Sequence, residues 1–385
     1  MPTDIASAEA MPAADSPAVR QPPPLGPRSR VLVVINNYLE APRRVPAGST
    51  EGPVVDYHAL ADGLRSRFGT RADFIDHFEV VGKFGRAAGM LGAACRNQLA
   101  AWLAYRARTR YDVIFTVGES VAFPLALLLL GTDRRPRHVT VGHRLSAGKK
   151  RLLYRGVAVH RAIDKIFVYS EFQRRFAISH LGMPDAVVEL INYFVDTDFF
   201  RHDGSAEVDP GLICSVGSEW RDHATLIRAV SGLPGVTLKM TGFSPWAKRT
   251  GCIRPELLPP NVHVARYDYP SLRQLYATSV ACVVPLLDAD FAAGITSALE
   301  AMAMGKAVIM TSTTGNLGSH FRDEENCLLV PPHDANRLAL AVRRLQRDVE
   351  FREALGRRAC RWATDHATAS RWVGELARGM APQAR

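Results

Sequence analysis

Within residues 292–310, AAGITSALEAMAMGKAVIM, Thr296 and Glu300 stand four apart. On a helix that spacing puts them on one face, one turn from each other. Thr296 and Ser297 fall in the first turn, where side-chain hydroxyls and free backbone N–H groups hold an anion. One turn is about 5.4 Å, roughly the step from a phosphate to the sugar beside it. A diphosphate at the tip would leave Glu300 able to accept hydrogen bonds from ribose hydroxyls. The same pattern also fits a core helix beside a strand, with Glu300 merely solvated. Asn36 and Asn37 form a second polar pair, and His143 follows an apolar run in HVTVGHRL. Each has a plain alternative as well, a turn-forming Asn pair and a histidine capping a strand end.

The elements that must position these residues are legible in outline. Gly294 lets a loop enter the helix tightly, and Ile295, Leu299 and Met302 recur at helical spacing as a buried stripe. Gly305 stops the helix, and a strand follows at 307–311. Residues 30–38, RVLVVINNY, read as a buried strand with Asn36 and Asn37 at its carboxyl end, where open α/β sheets bind ligands. Further strands are expected at 72–80, 111–118, 138–143, 165–170 and 187–192, with helices at 55–68, after Gly118, and from Glu171 to Leu181. In 192–200, NYFVDTDFF, Asp196 and Asp198 read as turn residues and Phe199 or Phe200 as an anchor. Residues 201–211 are polar and read as a linker. A second α/β unit then has strands at 212–217, 236–242, 261–267, 281–286, 307–311 and 327–332. Its helices are 224–230, 272–278, the stretch from Ile295, and 334–345. Residues 350–380 read as one helical stretch anchored by Trp362 and Trp372. Strands alternating with helices predict doubly wound parallel sheets. The expected domains are a disordered tail at 1–29, an N-terminal unit at 30–200, the linker at 201–211, a C-terminal unit at 212–350 and a helical segment at 351–385.

The chain has 385 residues, 47% of them hydrophobic, enough for two cores. Its six cysteines have no metal-ligand spacing and read as reduced core residues of a cytoplasmic protein. No apolar run reaches the roughly 18 residues of a membrane span. Residues 1–29 are Pro/Ala-rich, without the apolar core of a signal peptide. A net charge of +10 favours anionic partners such as nucleotide diphosphates, acidic lipid surfaces or nucleic acid. In residues 148–164 Lys149, Lys150, Arg151 and Arg155 alternate with apolar residues. That segment fits a basic amphipathic helix docked on the inner face of an anionic membrane, or a solvated helix packed on the sheet. Lys248 and Arg249 fit either a phosphate contact or a solvated pair.

Residues 299–309, LEAMAMGKAVI, resemble the donor-site signature of family-4 glycosyltransferases, retaining enzymes of the GT-B fold. That fold is two Rossmann-like domains facing a central cleft, with a C-terminal helix crossing back to the first. The family pattern is an acid, seven residues, then Glu; Ala292 stands at the first acid. Asp288 and Asp290 lie just upstream as substitutes, and some branches read G-x-T-S/T-x-L-E, as 294–300 does. The resemblance implies a donor pocket of Gly217, Arg221, Gly294, Ile295, Thr296 and Glu300. Tyr267 falls in the loop that reads the nucleotide base, mainly through backbone groups. Ser218 stands where the family has Arg, while Arg221 lies near the usual Lys and can grip phosphate oxygens bidentately. Asp222 reads as a helix cap. His143 falls near the donor's anomeric carbon and would orient it. Residues 192–200 and 327–332 resemble further family segments, and the match is strongest over 212–345.

By this resemblance the protein passes a sugar from a nucleotide-diphosphate sugar to a glycan, a lipid-linked acceptor or a small molecule, retaining anomeric configuration. Closure of the two domains would exclude water. No cofactor or metal is required; Asp288-Ala289-Asp290 has the spacing of a metal motif but reads as a polar loop. Three other readings stand beside it. Ala292 and Ser218 motivate a non-catalytic GT-B-like protein that binds nucleotide sugar. The charge motivates a nucleic-acid binder, against which the chain has no interleaved aromatic platforms. A dinucleotide oxidoreductase is disfavoured because 30–38 is not followed by G-x-G-x-x-G.

Overall fold

A computed structural model describes residues 25–39, 51–147, 157–241, 258–316, 318 and 320–381. Two six-stranded sheets organise it, every pairing within them parallel. The first holds β1 (Arg30–Val34), β2 (Arg71–Ile75), β3 (Val113–Thr116), β4 (Arg137–Gly142), β5 (Lys165–Val168) and β6 (Val188–Leu190), in the order β2-β1-β3-β4-β5-β6. The second holds β7 (Leu212–Ser215), β8 (Thr237–Thr241), β9 (Val262–Ala265), β10 (Ala281–Val284), β11 (Ala307–Thr311) and β12 (Leu328–Val330), in the order β12-β11-β10-β7-β8-β9. The central strands are buried on both faces, which is why they read as continuous apolar runs. Strand order reverses at β1/β3 in the first sheet and at β10/β7 in the second, and such switch points open a crevice at the carboxyl ends of the strands.

The helices are α1 (Asp56–Phe68), α2 (His77–Phe84), α3 (Arg86–Met90), α4 (Ala93–Ala107), α5 (Glu119–Leu129), α6 (Glu171–Ser179), α7 (His223–Ser231), α8 (Tyr269–Thr278), α9 (Ile295–Ala303), α10 (Ala335–Arg347), α11 (Val349–His366) and α12 (Ala369–Met380). The C-terminal stretch returns to the first half. Helix α12 packs on α1, its Gly374 facing Arg67, and Arg137 Nε donates to the Gly379 carbonyl at 2.9 Å. One apolar cluster runs through both halves, joining Phe194, Phe199, Phe200 and Trp372 to Cys214, Leu286 and Ile295.

Three expectations are corrected. The strand at 72–80 ends at Ile75, because Asp76 accepts a hydrogen bond from the Glu79 N–H at 2.8 Å and caps α2. The stretch 350–380 is two helices, broken where Thr368 caps α12 and Val195 N–H bonds to the Ala367 carbonyl at 2.8 Å. Helices α3 and α4 have no counterpart in the sequence reading. Most of the 1–29 tail, 148–156 of the basic segment, and Lys248 with Arg249 lie outside the described residues. The rest of the basic segment includes a short 3-10 turn, Val159–Ala162, with Val159 and Ala162 buried. Among the described residues, no helix is long and apolar enough to cross a membrane.

Candidate active site

Both switch points open onto one cleft of about 1210 Å³ between the halves. Its C-terminal wall is built from the turn after β7 and the tip of α9. Gly294 caps α9 at φ 73°, and a Cβ there would come within 2.7 Å of Val284 Cγ1, so glycine is required. No side chain caps this helix, and its first turn, Ile295–Ser297, lines the cleft. Arg221 is buried in the same wall. Its Nε and Nη2 donate to the Val216 carbonyl at 3.2 and 3.0 Å, Nη1 to the Glu219 carbonyl at 2.9 Å, and Nη2 to Ser297 Oγ at 3.0 Å. Every one of these acceptors is neutral. Burial lowers the pKa of the guanidinium, a sign of how poorly its charge is solvated. Gly217, at φ 88°, has no room for a side chain, since a Cβ would sit 2.4 Å from Arg221 Nη2. Trp220 holds a left-handed φ of 56°, unusual for a bulky residue, and sets its ring edge-on to Phe291 at 5.5 Å. Asp222 caps α7, accepting from the Thr225 N–H at 3.0 Å.

The N-terminal wall carries Asn36, Asp56, Tyr57, Glu119, His143, Tyr169 and Tyr193, with Trp372 of α12 behind them. His143 follows β4 directly, is exposed to the cleft, and has its ring 5.9 Å from that of Tyr169. Tyr169 stands edge-on to Tyr193 at 5.2 Å and accepts from Trp372 Nε1 at 3.1 Å. Asp56 opens α1 into this aromatic group. Burial pushes its carboxyl up to about 6, against hydrogen bonds from the Tyr57 N–H and the Tyr193 side chain.

The halves also touch directly at one end of the cleft. Arg144 pairs with Asp290 at 2.9 Å, with its guanidinium 4.9 Å from the Trp220 ring centre. Gln173 Nε2 donates to the Asp290 carbonyl, and Ser170 Oγ donates to the Gly315 carbonyl at 2.6 Å.

The structure therefore brings Gly217, Arg221, Gly294, Ile295, Thr296, His143 and Asn36 to one cleft. Among the described residues, Asn37, Tyr267 and Glu300 do not line it. Asn37 turns its carbonyl to the His77 N–H, and Tyr267 packs half-buried against the core. Glu300 is buried, and its Oε2 accepts from the Tyr276 hydroxyl at 2.8 Å. Burial raises its carboxyl to about 7, with the Tyr276 hydrogen bond and Arg221 pulling the other way. The two upstream acids are occupied: Asp288 accepts from the Thr314 N–H at 2.9 Å, and Asp290 holds Arg144. Ala292 itself stands on the cleft wall. Asp56, Tyr57, Glu119, Arg144, Tyr193 and Trp220 were not picked out from the sequence as site residues. Arg144 in HVTVGHRL, Tyr193 in NYFVDTDFF and Trp220 beside Arg221 lie in or next to stretches the sequence singles out.

Residues 55–199 match the family model Glycosyltransferase Family 4, and residues 211–348 match the model Glycosyl transferases group 1. No curated protein matches the sequence. Among solved structures, sucrose-phosphate synthase from Thermosynechococcus elongatus superposes with a TM-score of 0.67 at 18% identity, over 91% of this chain and 98% of that one. A glycosyltransferase from Rickettsia africae gives 0.67 at 15% identity, over 93% and 100%. Anabaena HepE, solved in complex with UDP-glucose, gives 0.64 at 13% identity, over 90% and 98%. The two family models fall one on each sheet and together span most of the chain, which thus belongs to the family 4, group 1 glycosyltransferases and has their GT-B fold.

Proposed function

We propose that this glycosyltransferase takes its sugar from a nucleotide-diphosphate donor held by the C-terminal half, residues 212–350. It passes that sugar to a hydroxyl on an acceptor seated against the N-terminal half, residues 30–200. Arg221 carries the reading. A buried cation bonded only to neutral groups, beside an uncapped helix N-terminus, leaves positive charge for an anion to neutralise. A diphosphate is an anion of suitable size, and HepE, of the same fold, was solved with UDP-glucose. The nucleoside extends down α9; Glu300 Oε2 serves Tyr276, and Oε1 becomes the oxygen for a ribose hydroxyl once donor binding opens the wall over this buried carboxyl. Tyr267 lies toward the base. His143 orients the transferred sugar from across the cleft, and Asn36 faces the acceptor. With retention, the bond from the anomeric carbon to the diphosphate oxygen breaks as the acceptor oxygen bonds on the same face. The acceptor's proton passes to the departing diphosphate. The arginine and the helix tip stabilise the negative charge that develops there.

Titration of the purified chain with UDP, GDP, ADP and the matching nucleosides tests this. Arg221→Ala is expected to weaken nucleoside-diphosphate binding by roughly 10- to 100-fold, the worth of a charge-assisted hydrogen bond, and nucleoside binding far less. Equal losses for both would contradict a phosphate role. Ser297→Ala, which removes a single partner of Arg221, controls for collapse of the turn. A second reading, nucleotide-sugar binding without transfer, is favoured by Ala292 on the wall where the family has its first acid. Donor binding with neither transfer nor hydrolysis across a broad acceptor panel would establish it.

A further inference from the structure

Helices α2, α3 and α4 form an edge of the N-terminal half that takes no part in the cleft wall. Among the described residues, five of the eleven exposed large apolar side chains lie here: Phe78, Phe84, Met90, Leu91 and Trp102. Met90 is 89% exposed, at the turn joining α3 to α4. Some of these side chains pack against neighbours on the same edge. Phe84 meets Trp102 at 5.7 Å, Arg106 lies 5.6 Å over the Trp102 ring, and Phe78 contacts Tyr38 at 4.6 Å. Charge here is one-sided. From Val80 to Tyr111 the chain has six Lys or Arg and no Asp or Glu. Lys83, Arg86 and Arg106 are exposed among the apolar groups, and Glu79 is the one exposed acid on α2.

We propose that this edge seats the protein on an anionic lipid bilayer, with Met90, Leu91, Phe84 and Trp102 entering the interface and Lys83, Arg86 and Arg106 meeting the headgroups. Exposed apolar side chains among three cations, against the one acid Glu79, match such a surface in both hydrophobicity and charge. A second copy of the chain is a poor occupant, because it would set the same cations against each other. The position suits a lipid-linked acceptor. Helix α2 starts directly after β2 and is bonded to the loop after β1, where Asp76 accepts from the Leu39 N–H at 2.7 Å and His77 N–H donates to the Asn37 carbonyl at 2.9 Å. Asn36, next in that loop, lies on the cleft wall. The edge thus adjoins the acceptor side of the cleft, although membrane docking stands or falls independently of the donor chemistry.

Flotation of the full chain with phosphatidylcholine vesicles, with and without phosphatidylglycerol, tests the proposal. Binding is expected only where phosphatidylglycerol is present. Arg86→Ala with Arg106→Ala should lower partitioning roughly 25-fold, since each cation near such a surface contributes about fivefold. Met90→Glu with Leu91→Glu should abolish it. All four positions lie outside the cleft, so unchanged UDP affinity shows that the variants are folded and the donor pocket intact. Failure to float with anionic vesicles would overturn the assignment, as would flotation that both variants retain. An oligomer that the variants dissolve, without any flotation, would instead give this edge to contacts between chains.

Discussion

Glu300 shows where spacing and packing part. Four residues advance a helix slightly more than one turn, so Glu300 is rotated from Thr296; the threonine is exposed and the carboxylate is buried against Tyr276. Its raised pKa makes a testable statement about stability. Between the ordinary value of 4.5 and about 7, the folded state holds a proton that the unfolded chain releases, so stability falls as pH rises through that window. The whole loss is about 3 kcal/mol at most. Glu300→Gln should flatten this part of the Tm-against-pH curve relative to wild type; identical slopes would mean the carboxyl is solvated. If Oε1 receives a ribose hydroxyl, the same variant weakens nucleoside binding as well, which a purely structural carboxyl would not do. Gly294 and Thr296 are legible because turn and helix-tip chemistry is local, whereas Arg221 is picked out only by its place in the family resemblance. Asp56 left no such trace, and Tyr193 and Trp372 stand in the sequence only as parts of a linker segment and a helix anchor. They come from three distant segments, and only the fold makes them neighbours.

At the scale of elements, the strands were read well because burial on both faces leaves an unbroken apolar run, as in Val113–Thr116. Helix α4 escaped because its buried stripe is Ala100, Ala101 and Ala104, residues too small to mark a hydrophobic period. The C-terminal pair of helices reads as one because no Pro or Gly separates them; the break rests on the Thr368 cap and a bond to Val195, far away in sequence. What docks α11 is a close backbone approach. A Cβ at Gly356 would lie 2.2 Å from the Gly305 carbonyl oxygen, just where α9 ends. Gly356→Ala therefore forces backbones apart and should cost about 1–3 kcal/mol. A thermal melt should show this as a fall in Tm of several degrees, whereas Gly232→Ala, with open space around it, should leave Tm nearly unchanged.

For the whole molecule, the two halves are joined unequally around the cleft. On one side the apolar cluster around Phe194, Phe200 and Trp372, and the bond from Val195 to Ala367, make a packed junction. At one end of the cleft, Arg144, Gln173 and Ser170 reach over to Asp290 and Gly315 through hydrogen bonds and one ion pair, with Arg144 also lying over the Trp220 ring. The Arg144–Asp290 ion pair is partly exposed and worth about 0–1 kcal/mol, while Gln173 and Ser170 are buried. If the halves separate, this end, which lacks the large apolar cluster of the junction, is where they would part at least cost, with the packed junction as the hinge. The donor pocket, as proposed, lies within the C-terminal half, whereas the transferred sugar must also meet His143 across the gap. Breaking the latch with Arg144→Ala and Gln173→Ala should therefore lower kcat by roughly tenfold if closure becomes about 1.4 kcal/mol harder. UDP affinity should stay within about twofold, and small-angle scattering should show a larger radius of gyration. A loss of UDP affinity equal to the loss of kcat would mean that the N-terminal half helps to hold the nucleotide, and the division of labour between the two sheets would have to be redrawn.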